Sequence, residues 1–125
     1  MSNVSIRYIV DDVDAAIKFY TDNLDFEVEM HPAPGFAALK RGSLLLFLNA
    51  PGAGGAGASM PDGSKPEPGG WNRFQLNVEN LKTAVEELKK RGASFRSEII
   101  EGKGGKQILL EDPSGNPIEL FESTR

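Results

Sequence analysis

Apolar and polar residues alternate at the start of the chain. Ile6, Tyr8 and Val10 are separated by Arg7 and Ile9, a period of two that predicts a strand. The period then lengthens. Val13, Ala16, Ile17 and Tyr20 recur at helical intervals and form one apolar face. Asp11 or Asp12 can cap that helix, and Asp14 suits its positive N-terminal end.

The same plan returns later. Phe74, Leu76 and Val78 alternate, Asn80 is placed to cap, and Leu81, Ala84, Val85 and Leu88 make a second helix face. Lys89, Lys90 and Arg91 fall at the negative helix end, with Gly92 fit for the left-handed closing position. Three strand-like runs follow each helix: "FEVEM", "FAALKRG" and "SLLLFLN" in the first half, "ASFRSEII", "KQILLEDPSGN" and "PIELFE" in the second. Two independent stretches agreeing on strand, helix and three strands outweigh single propensities. In "DPSGN", Pro113 fixes one backbone angle, and Gly115 and Asn116 tolerate positive φ, which predicts a tight turn.

Residues 50–70 separate the halves and follow neither period. Seven of these 21 residues are glycine and four are proline, so neither helix nor sheet is expected. A long mobile segment here is either a linker between repeats or a flap over a ligand. Its "GAGGAGA" run lacks the Gly-Lys-Ser/Thr ending of a phosphate loop.

Composition narrows the class. A chain of 125 residues with a net charge of −4 and a pI near 5.0 carries no nucleic-acid footprint. The basic cluster "KKR" is explained by the helix end. With no cysteine, disulfides, thiolate metal sites and cysteine nucleophiles are excluded. The apolar run "LLLFL" is too short to span a bilayer, and the first ten residues lack a signal-peptide pattern. A cytoplasmic domain over residues 1–125 is expected, with a first module over about 3–49, a linker over 50–70 and a second module over about 71–123.

The paired repeats, with "YIVDDVDAAIKFY", "NVENLKTAVEEL" and above all "EDPSGNPIELFE", resemble the vicinal oxygen chelate superfamily of glyoxalases, bleomycin-resistance proteins and extradiol dioxygenases. The resemblance implies an α+β fold of two βαβββ modules forming an open, cleft-containing barrel, and a homodimer. It also implies four metal-ligand positions. Glu119 occupies one; Arg73 stands where histidine is usual, Ser5 where histidine or glutamine is usual, and "LLLFL" offers no ligand. An arginine stays protonated and has no lone pair to give, and a tight catalytic metal needs about three protein ligands. No cofactor is therefore expected.

Strand parity places Ser5, Arg7 and Ile9 opposite the helix side of the first strand, and Arg73, Gln75 and Asn77 likewise in the second half. Glu119 and Phe121 share that face on the last strand, and Gln107 joins them. Glu119 is expected to pair with Arg73 before Arg7. Trp71 is expected in the core or an interface, or stacked on a flat ligand. Phe36, Phe47 and Met60 are core or loop residues first, and His31 a loop hydrogen-bonder. These residues point to a protein that binds a small organic, anionic or planar molecule through Arg7, Arg73, Gln75, Gln107, Glu119, Trp71 and Phe121 without a metal. The alternative is an enzyme of the same superfamily, either a metal-dependent lyase or dioxygenase or an isomerase with Glu119 as base.

Overall fold

The computed structural model describes residues 4–124. The chain divides into two compact units between Gly69 and Gly70. In the first, β1 (Ser5–Ile9) leads to α1 (Val13–Asn23), then β2 (Glu27–Ala33), β3 (Phe36–Arg41) and β4 (Leu44–Asn49). These strands form an open sheet in the order β1-β4-β3-β2, with β1 parallel to β4. Tyr8, Val10, Leu39, Leu46 and Leu48 are buried together with Val13, Ala16 and Tyr20 of α1. Asp12 caps α1 by accepting from the Ala15 amide at 3.0 Å. His31 lies within β2, not in a loop, and its Nε2 stands 3.9 Å from Asp14 Oδ1.

The second unit holds β5 (Gln75–Asn77), α2 (Leu81–Lys90), β6 (Ser94–Phe95), β7 (Ile100–Glu101), β8 (Gly105–Glu111) and β9 (Pro117–Ser123). Its strand order is β5-β9-β8-β6, with β7 also paired to β8. Leu81, Val85 and Leu88 bury one face of α2, while Phe74, Leu76, Ile108, Leu110, Ile118 and Leu120 supply the sheet side of this core. Asn80 accepts from the Thr83 amide, and Glu122 reaches from β9 to accept from the Leu81 amide at 2.7 Å. That carboxylate satisfies an orphan donor at the positive helix end. Gly92 takes φ +86 and the Ala93 amide closes onto Leu88 O, a glycine-terminated helix end.

One expected strand is corrected, and the expected turn is present. "ASFRSEII" is not one strand: Phe95 faces Leu110 and Ile100 faces Gln107, so four residues oppose two on β8 and the strand breaks at a bulge. In "DPSGN" only Gly115 has positive φ, at +85. Asn116 instead fastens the turn, donating from its backbone and side chain to buried Asp112.

The segment after β4 holds neither helix nor strand, as its composition implies, and is built of turns. The Ala50 amide donates to Gly35 O, and Ala53, Gly57, Gly63 and Ser64 lie in successive turns. Gly57 is buried, and a Cβ there would meet the Ala50 and Ala53 carbonyl oxygens.

Candidate functional site

Parallel pairing of β5 with β9 sets Gln75 beside Glu119, and antiparallel pairing sets Leu109 on the other side. Alternate residues share a face of a strand, so Gln75, Glu119, Phe121 and Gln107 all lie away from α2. Glu119 is only 8% exposed, and a carboxylate so placed needs donors. Three reach it. Arg73 Nε donates to Oε1 at 3.0 Å, Arg73 Nη2 stands 2.9 Å from the same oxygen, and Gln75 Nε2 donates to Oε2 at 2.7 Å.

The expected Arg73–Glu119 pair is thus present, but not as a fork onto both oxygens. Both guanidinium nitrogens converge on Oε1 because Gln75 holds Oε2. Arg73 Nη1 also donates to Trp71 O at 3.3 Å.

The other candidates are placed as follows. Gln107 is half-buried, opposite Phe121 on β9 and Ile100 on β7. Phe121 is half-buried beside Gly105, where a Cβ would come within 2.8 Å of its ring. Arg7 belongs to the first unit, where its guanidinium lies 5.0 Å from the Phe47 ring centroid and the Phe36 ring packs against Phe47 at a tilt of 58°, centroids 5.9 Å apart. Trp71 is not a core residue, being 69% exposed. Met60 is exposed as well.

A second arginine–carboxylate pair lies outside the residues that the sequence singles out. Arg96 Nε donates to Glu111 Oε2 at 2.7 Å, Nη1 to Gly70 O at 2.8 Å and Nη2 to Gly115 O at 2.9 Å. Its guanidinium also lies over Trp71, 4.7 Å from the ring centroid. The signal available was strand parity, which puts Glu111 on the Glu119 face. The β6–β8 pairing that sets Arg96 beside Glu111 leaves no such mark.

The sequence matches the Glyoxalase/Bleomycin resistance protein/Dioxygenase superfamily over residues 4–120. The chain belongs to that superfamily. Among curated proteins no sequence matches it. Solved structures share its fold. Lactoylglutathione lyase from Agrobacterium tumefaciens is 19% identical with a TM-score of 0.75, covering 97% of this chain and 92% of that one. TnmS3, an antibiotic binding protein from Streptomyces sp. CB03234, is 21% identical with a TM-score of 0.73, covering 99% and 98%. The bleomycin-binding protein from Streptomyces verticillus, solved with copper(II)-bleomycin, is 18% identical with a TM-score of 0.65, covering 98% and 97%.

Superfamily membership raises the question of a metal, and the side chains here do not fit one. Arg7 pairs with Phe47 six residues before the first residue of α1, as Gln75 pairs with Glu119 six residues before α2. Phe47 is therefore the first unit's counterpart of Glu119, and a phenyl ring gives no lone pair. Arg73 fills the histidine position and is bonded to Glu119. Among the described residues no group of three or more His, Cys, Asp or Glu side chains could hold a metal ion.

Proposed function

We propose that this superfamily member binds a small organic, anionic or planar molecule without a catalytic metal. The observation that carries this reading is the occupation of Glu119: the one acid at a metal-ligand position already accepts from Arg73 and Gln75. The guanidinium there neutralises the acid as a cation would and keeps outward N–H donors for a ligand carboxylate or phenolate. Gln107 and Phe121 extend the same face with a polar edge and an apolar wall. On the first unit, Arg7 over Phe47 offers another cation beside a ring. The antibiotic-binding and bleomycin-binding neighbours support a carrier of this kind.

Catalysis by Glu119 as a base is less well supported, since three donors fill most of its about four acceptor positions. The proposal includes a homodimer. Edge strand β2 is exposed along its whole length, and Val28 and Met30 stand half uncovered on it.

Titration of EDTA-treated protein with 1-naphthoate and anthraquinone-2-carboxylate tests the binding reading. Saturable binding that Arg73→Ala weakens is expected. Binding or turnover that appears only with added nickel, zinc, iron or manganese would reverse the conclusion.

A further inference from the structure

Trp71, the sole tryptophan, is displayed in a fixed position. Consecutive glycines with positive φ, Gly69 at +104 and Gly70 at +88, turn the backbone just before it. Arg96 then anchors the approach by bonding Gly70 O, Gly115 O and Glu111 at once, with a side chain only 17% exposed. Arg73 also donates to Trp71 O. A planar cation therefore lies over the indole, while the residue stays 69% exposed and presents ring surface to the hollow beside it. An indole immobilised by its own protein loses little freedom when a second ring stacks on it.

Beside Trp71 is a shallow open hollow of about 480 Å³ lined by Gly70, Trp71, Phe95, Arg96 and Glu111. Its charges balance, one arginine against one glutamate. Glu111 gives Oε2 to Arg96, and as an ionised carboxylate it has an Oε1 able to accept from a further donor. Its side chain is 32% exposed, so that acceptor is within reach of a ligand. The hollow thus combines aromatic surface with an accepting carboxylate at its edge. We infer that the Trp71–Glu111 hollow is a second binding subsite, for a flat heteroaromatic group that carries an amino donor and is neutral or cationic. The ring stacks on Trp71, and the amino group donates to Glu111. This ligand class is opposite in charge preference to the one assigned to the Arg73–Glu119 face, and the inference stands independently of that assignment.

The probe is proflavine, a flat diamino cation, followed by fluorescence polarisation and by quenching of Trp71. Saturable binding is expected, weakened tenfold or more in Trp71→Ala, several-fold in Glu111→Gln, and partly restored in Trp71→Phe. Acridine-9-carboxylate, of similar size but anionic, should bind at least tenfold more weakly. Equal proflavine affinity in wild type, Trp71→Ala and Glu111→Gln would overturn the subsite, as would tighter binding of the anion. Titrating 1-naphthoate into Trp71→Ala separates the two assignments: its binding survives there if the Arg73–Glu119 face is the anion site, whatever proflavine does.

Discussion

Glu119 shows what a single residue discloses in advance and what it hides. Strand parity and the "IEL" ending place it on the face away from the helix, and the arginine at the vacated histidine position names its partner. Gln75 as the second donor follows from the parallel β5–β9 register, which no local pattern states. Because Glu119 is nearly buried, Glu119→Gln strands a guanidinium and should destabilise the second unit by roughly 1–3 kcal/mol in urea unfolding. Arg73→Ala should cost a similar amount. The double variant should lose less than the sum, since each single change leaves a charge unmatched; full additivity would show that the pair contributes nothing. Gly105 is a sharper case. Its φ is +157, and a Cβ would collide with Glu122 O and press on Phe121, so Gly105→Ala should lower stability by roughly 2 kcal/mol or more. An unchanged melting temperature would contradict that close approach.

At the scale of elements, periodicity succeeds where an element has one buried face and fails where pairing decides. Both helices and their caps were legible because apolar spacing and Asp12 or Asn80 coincide in sequence. The division of "ASFRSEII" into β6 and β7 was not, because two extra residues in a strand change register without changing composition. Arg96 reaches Glu111 through the β6–β8 register, which sets Ser94 opposite Glu111 and Arg96 two residues further along the same face. Residues 50–70 form neither helix nor strand, as their glycine and proline content implies. Within them Gly57 is used for lack of room beside Ala50 and Ala53. Gly57→Ala should therefore destabilise the first unit by about 1–3 kcal/mol. Removal of the exposed turn from Met60 to Ser64, whose hydrogen bonds close on themselves, should leave the melting temperature nearly unchanged, since loop length alone costs little. Equal losses from the two changes would erase the distinction between the seated and the free part of this segment.

Across the whole molecule the repeat was the strongest signal, because each βαβββ half encodes its strand and helix faces independently. The repeat also fixes which positions correspond, and the correspondence is chemically uneven. Phe47 and Glu119 are equivalent in register, yet one half presents Arg7 over a ring and the other an arginine-neutralised acid. The proposed self-association rests on a different feature, the exposed length of β2. With a chain mass of 13.5 kDa, light scattering should give about 27 kDa, and Met30→Lys should shift it toward monomer. A monomer at micromolar concentration would remove that assignment. Metal content tests the unevenness directly. Glu119 is the one acid at the four positions where superfamily enzymes hold their ion, and its partner Arg73 repels a divalent cation. Elemental analysis of purified protein should therefore find far less than one nickel, zinc, iron or manganese per chain, and EDTA should leave the melting temperature unchanged. Arg73→His supplies one imidazole and frees Glu119 from its cation, but two ligands remain short of the about three that a tight site requires. Added nickel or zinc should raise the melting temperature of that variant only slightly. A large rise in the wild type would mean that Arg73 can leave Glu119 for a metal, and the acid would then have to be treated as a ligand.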